Sequence, residues 1–180
     1  DDRIYVGGQD EMGYFATGNN GRLQYYSLID LIPVKDRSFG DVWDIISFKG
    51  NTYFRSSTKI FKITDHTAVV FNAPQEWAFL GACNGILYAQ DFKNGLLKFE
   101  NEVWAPAYEL NTLPANDAVT GILAVTPESA VITTLKNGLY SLSFKSITVL
   151  QSVNNAIFKT NRIYAVTAVN KEWMALASNN

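Results

Sequence analysis

Short stretches in which apolar and polar residues alternate recur along the whole chain, each bounded by Gly, Asn or Ser. A period of two marks a strand with one buried face. The stretches fall into a repeating unit: an apolar strand, a Gly/Asn turn, a second apolar strand with Ala, Thr or Ser near its end, an Asn-Gly-type turn, and an aromatic or Leu-rich strand. The second strands centre on Tyr14-Phe15-Ala16-Thr17, Tyr53-Phe54-Arg55-Ser56, Leu87-Tyr88-Ala89-Gln90, Val131-Ile132-Thr133-Thr134 and Trp173-Met174-Ala175-Leu176. The markers Tyr14, Tyr53, Tyr88, Ile132 and Met174 are separated by 39, 35, 44 and 42 residues. Several short strands recurring every ~40 residues are the signature of propeller blades. The expected fold class is all-β, a β-propeller of four-stranded antiparallel blades.

The expected blades are residues 1–33, 42–74, 77–114, 119–152 and an incomplete 157–180. In the first, residues 3–9, 13–17 and 22–28 read as strands, and 29–33 as a short outer strand that ends at Pro33. The second has strands at 42–48, 52–56, 60–64 and 68–71. The third has 77–82, 86–90, 96–100 and 103–106, and the fourth 121–125, 130–135, 139–144 and 147–150. The last shows strands at 157–158, 163–169 and 172–177, with Asn170-Lys171 as a turn. The clearest self-match is Lys93-Asn94-Gly95-Leu96-Leu97-Lys98-Phe99 against Lys136-Asn137-Gly138-Leu139-Tyr140-Ser141-Leu142. Asn-Gly between apolar strands is a strong hairpin signal. Closure normally takes about 4–8 full blades, and an end between second and third strands leaves an edge unpaired. The expectation is a piece of a larger propeller. An open arc, or closure of the free face by a second copy, are the alternatives.

Composition agrees with this picture. Of 180 residues, 47% are hydrophobic, enough for a substantial core, and 13% are aromatic, which suits strands. The formal net charge is -2 and no basic stripe is visible, so no nucleic-acid partner is expected. No run of about 18 apolar residues exists, so no membrane insertion by this segment is expected. The chain starts abruptly at Asp1-Asp2-Arg3-Ile4, and any targeting segment is expected to have been removed or to lie elsewhere. Cys83 is the only cysteine and cannot form an internal disulfide; it reads as a small filler in a turn-flanked strand.

Asn137-Gly138-Leu139-Tyr140, its variant Asn94 to Phe99, and Val42-Trp43-Asp44-Ile45-Ile46 followed by Gly50 to Phe54 resemble the two-component-regulator propeller repeat. The family's usual Gly-x-Leu-Trp-Ile/Val-Gly-Thr core stands here without its tryptophan, as Gly85-Ile86-Leu87-Tyr88-Ala89 and Gly50-Asn51-Thr52-Tyr53-Phe54. The resemblance implies a periplasmic sensor propeller of an inner-membrane receptor. Further blades, a β-sandwich, a membrane helix and a hybrid histidine kinase or DNA-binding regulator would lie elsewhere in the parent chain. It also implies an oligosaccharide as the sensed ligand. No kinase, receiver or DNA-binding motif is present in this sequence.

Candidate chemistry is sparse. His66, the only histidine, sits in Thr64-Asp65-His66-Thr67 and reads as an outer turn residue. One histidine and one cysteine do not make a zinc site, and no calcium loop is present. The Gly7-Gly8 pair lacks the strand-to-helix context of a phosphate cradle. No cofactor or metal is expected. Glycan hydrolysis would need carboxylates converging on a channel mouth, with Asp41, Asp44 and Asp117 as contributors. A binding surface has more support. Loops between blades, and between second and third strands, open on one face and carry residues 35–41, Gln75-Glu76-Trp77, Asn116-Asp117 and Asn154-Asn155. Aromatic rings beside Arg, Asp and Asn can stack on a sugar and bond its hydroxyls. The candidate ligand residues are Arg37, Asp41, Trp43, Arg55, Trp77 and Asp117. Trp43 and Trp77 read rather as wedges between blades, and Arg37 and Arg55 rather as solvated or locally paired. Trp104 and Trp173 read as packing residues. The expected function is non-enzymatic ligand sensing. The alternatives are a protein-interaction scaffold, with a homodimer among its partners, or a fragment of a glycan-degrading enzyme.

Overall fold

Alternation in the sequence becomes antiparallel strands joined by tight turns. The structure, a computed structural model, describes residues 2–108, 113–143, 146–170 and 172–179. The expected strand end at Phe144 and turn residue Lys171 lie outside the described residues. The chain divides into two compact units, Asp1–Trp77 and Ala78–Asn180.

In the first unit, β1 (Ile4–Gly8), β2 (Glu11–Thr17) and β3 (Leu23–Ser27) form a three-stranded meander. A second sheet follows with β4 (Asp44–Phe48), β5 (Asn51–Arg55), β6 (Lys59–Ile63) and β7 (Ala68–Asn72) in chain order. Met12, Leu28, Ile32, Phe39, Phe54 and Phe61 are buried together in one core. The ring of Tyr5 meets that of Phe54 edge-on at 6.0 Å, so β1 packs against β5. Large aromatics contribute most of such a core's burial.

The expected outer strand at residues 29–33 is not there. Ile29–Leu31 and Val34–Asp36 are short 3-10 turns instead. Leu28, Ile29, Leu31 and Ile32 repeat at three- and four-residue intervals, which suits a helical turn and not a pleat. Leu31 and Ile32 donate back to the carbonyls of Leu28 and Ile29 at 3.1 and 3.0 Å, and Ile32 is buried. Pro33 has no N–H to offer a ladder.

In the second unit, β8 (Trp77–Cys83), whose first residue ends the preceding unit, joins β9 (Ile86–Asp91), β10 (Gly95–Glu100) and β11 (Val103–Pro106) in a four-stranded meander. A second follows with β12 (Val119–Thr126), β13 (Ser129–Thr134), β14 (Gly138–Ser143) and β15 (Ile147–Val149). Phe79, Tyr88, Leu96, Ile122, Ile132 and Tyr140 belong to the core shared by these two sheets. The strands β16 (Ile163–Ala168) and β17 (Met174–Ser178) pair with each other, and Ile163 packs with Val131 and Leu139. The expected strand at 157–158 is instead a short helix, α1 (Asn155–Thr160), in which the Ile157 and Phe158 amides turn back to the Asn154 carbonyl. Trp173 is 68% exposed, against its expected packing role, while the Trp104 ring lies 4.9 Å from that of Phe99.

The turns follow the sequence signals. Lys49-Gly50, Asn84-Gly85 and Asn101-Glu102 have positive φ at both positions, the geometry that matches strand twist in two-residue hairpins.

Candidate functional site

Of the six residues singled out by sequence, four have side chains held by the protein itself. Arg55 ends β5, is buried, pairs through Nε with the Asp44 carboxylate, and donates from Nη1 to the Trp77 carbonyl at 2.7 Å. Trp77 is 2% exposed and its indole N–H donates to the Phe71 carbonyl at 3.1 Å. Arg37 donates through Nε to the Ile32 carbonyl at 2.9 Å and lies 3.4 Å from the Asp30 carboxylate. Asp117, in the second unit, is buried. Its carboxylate accepts from the Lys136 and Asn137 amides, each at 3.0 Å, and from the Asn137 side chain at 2.7 Å. It locks the β13–β14 turn onto the preceding loop. With Asp44 and Asp117 so engaged, Asp41 is the one exposed carboxylate of the three considered for hydrolysis.

Asp41 and Trp43 are displayed outward. Their loop is fastened to the β1–β2 turn, where Asp10 Oδ1 accepts from the Phe39 and Gly40 amides at 2.6 and 2.7 Å. Those two donors hold the Asp10 carboxyl below its ordinary value. Val42 donates to the Gly8 carbonyl, Gln9 bridges Asp41, and Trp43 donates to the Arg55 carbonyl at 2.8 Å. The Trp43 ring remains 65% exposed. Trp43 and Trp77, equivalent by repeat position, therefore differ: one presents its ring to solvent, the other is core.

A cleft with a mixed lining lies elsewhere. In the first unit a cavity of about 290 Å³ opens beside the β4–β5 and β6–β7 turns. Leu28 and Ile63 supply its apolar floor, and Tyr5 and Phe48 supply rings. Arg3, Lys49 and Asp65 supply charge, and Asn51 and Thr64 supply hydrogen-bonding groups. The Arg3 guanidinium sits 4.7 Å from the centroid of the Tyr14 ring and 3.6 Å from Asp65 Oδ1. Its pKa is raised, first by a hydrogen bond with Tyr5 and further by Tyr14 and Asp65, with burial opposing. Lys49 Nζ stands over the Phe48 ring at 5.0 Å. None of the six sequence candidates lines this cleft. Its residues read as scaffold in sequence, since Arg3 opens a strand and Lys49 sits in a turn. The available signal was a lysine at a positive-φ turn position where Asn, Asp or Gly is usual.

In the second unit a smaller depression of about 190 Å³ lies between the β9–β10 turn and the loop through Asn116. Its walls are mostly polar and it has one ring, Phe92. Cys83 is buried, and burial pushes its thiol up, away from reactivity. His66 lies exposed in the β6–β7 turn. Among the described residues, no group of three His, Cys, Asp or Glu side chains is arranged to hold a metal.

Comparison with known proteins shows the fold. The chain is similar to YCF48 from Cyanidioschyzon merolae, with 7% identity and a TM-score of 0.65 over 93% of this chain and 62% of that one. It is similar to the WD40 β-propeller domain of Doa1, with 10% identity and a TM-score of 0.68 over 99% of this chain and 59% of that one. The extracellular domain of a hybrid two-component system from B. thetaiotaomicron matches with 15% identity and a TM-score of 0.61, over 92% of this chain and 22% of that one. The chain thus spans about 60% of the first two and about a fifth of the third. No protein-family model and no curated protein matches. The fold is that of a β-propeller.

Proposed function

We propose that this chain is part of an extracytoplasmic, ligand-sensing propeller of a two-component receptor, and that it takes an oligosaccharide in the cleft of the first unit. The observation that carries this reading is the cleft itself. It combines an apolar floor, half-buried aromatic rings, charged groups and an amide, the mixture expected of a ligand pocket. The likeness to an extracellular domain of a hybrid two-component system supports the setting through the fold. The remaining blades and the kinase or regulator would lie elsewhere in the parent protein. A ligand that binds one arrangement of the receptor better than another would shift its state. On the loop face, Trp43 and Asp41 present exposed side chains to a sugar.

Thermal unfolding against a panel of plant and host oligosaccharides tests the reading. A ligand at about 100 times its Kd adds roughly 2.7 kcal/mol of stability. A rise in Tm that disappears in Phe48→Ala and persists in Trp43→Ala supports the cleft. The reverse pattern moves the site to the loop face. No rise with any glycan, with the chain or with the whole receptor, sinks oligosaccharide sensing.

A second reading, a protein-interaction scaffold, is favoured by one sheet face. Ile4, Phe15 and Tyr25 stand in register across β1, β2 and β3, with Ile4 57% and Tyr25 37% exposed. An unpartnered apolar face of this kind suits another sheet, from a further blade or a second copy. A Tm that rises with protein concentration in the absence of any glycan favours it.

A further inference from the structure

We infer that the ligand of the first-unit cleft is an acidic saccharide, one that carries a carboxylate or sulfate group read by Lys49 and Arg3. This rests on the reading of the cleft as a saccharide site. Three charged side chains line the cleft, two cations and one anion, so its local balance is positive although the whole chain is not. Asp65 is 3.6 Å from Arg3 and offsets that guanidinium. Lys49 has no such partner. Among the described residues no carboxylate lies within ion-pair distance of its ammonium, which is held over the face of Phe48 at 5.0 Å. The tight turn sets the Lys49 backbone beside the cleft, with Lys49 and Gly50 at φ of 46 and 76°. A residue that commonly prefers another conformation is kept at the mouth of the cleft with its charge uncommitted. Arg3, just before β1, adds planar donors, and its place over the Tyr14 ring holds the guanidinium there. A neutral sugar could only offer hydroxyls to Lys49 and would leave its charge unpaired, whereas an acid group on the sugar would pair with it while a ring face met Phe48 or Tyr5.

The test is calorimetric titration of the intact chain with digalacturonate, a sulfated disaccharide, neutral galactobiose and sodium sulfate, at low and at physiological salt. At least one acidic disaccharide is expected to bind tenfold or more tightly than galactobiose. That preference should shrink several-fold on raising the salt and in Lys49→Gln, a turn-surface change whose folding is checked by Tm. Which acidic disaccharide binds tells carboxylate from sulfate. Equal binding of acidic and neutral disaccharides overturns the acid-group inference and leaves the saccharide site standing. Binding of sodium sulfate as tight as that of the disaccharides shows an anion site without sugar recognition, and overturns it. Absence of binding by every disaccharide overturns both the inference and the reading beneath it.

Discussion

At the scale of single residues, two tryptophans in equivalent repeat positions do different work. Trp77→Ala removes a buried indole and its hydrogen bond to Phe71, and is expected to cost about 3–5 kcal/mol in urea denaturation. Trp43→Ala, at 65% exposure, is expected to stay within about 0.5 kcal/mol of the parent. Asp117→Ala strands the two backbone amides and the side-chain amide that its carboxylate serves, and is expected to cost about 2–3 kcal/mol. The repeat position of these tryptophans was legible in the sequence. Their difference was not, because burial depends on what the neighbouring loop brings over the ring. The same limit applies to Arg55 and Asp117. Their chemistry suggested ligand contact, yet carbonyls and amides distant in sequence had already claimed their charges.

At the scale of elements, the turns carry the information that periodicity lacks. Gly50 and Gly138 both adopt positive φ, at 76 and 84°. A Cβ at Gly50 would meet nothing within 4 Å, whereas at Gly138 it would lie 3.3 Å from the Phe158 Cβ on α1. Gly50→Ala is therefore expected to cost about 1 kcal/mol, from backbone strain alone. Gly138→Ala is expected to cost more, because the Phe158 Cβ must also give way, and urea denaturation of the two variants measures the difference. The strands themselves were readable within a residue or two, since alternation is a local property. The segments at 29–33 and 157–158 were misread for a local reason too: short apolar runs do not reveal whether their period is two or between three and four.

At the scale of the whole molecule, both units respond to alkaline pH through phenols held protonated by their surroundings. Burial, followed by a hydrogen bond with Glu11, pushes Tyr25 up from 10 to about 12. Burial likewise raises Tyr88 and Tyr140 in the second unit. Each folded-state pKa lies above its unfolded value, so the stabilisation is complete below about pH 10. It is lost as pH rises above 10, where unfolded chains ionise first. Tm is expected to hold between pH 7 and 9 and fall between pH 10 and 12. Spectrophotometric titration of Tyr25→Phe should lack a late-ionising tyrosine near pH 12. The first-unit cleft belongs to this scale as well, since Arg3, Lys49 and Asp65 lie on separate segments and meet only because the first unit folds.

The sequence by itself determined the all-β propeller class, the positions of most strands and the hairpin turns, because alternation, Asn-Gly pairs and a period near 40 residues are written locally and repeated. Tertiary structure alone decided which charged side chains are spent on the scaffold and which gather at a cleft. Partner groups for Arg55 and Asp117, and the gathering of Arg3 and Lys49 around one cavity, come from contacts between segments that local pattern does not encode.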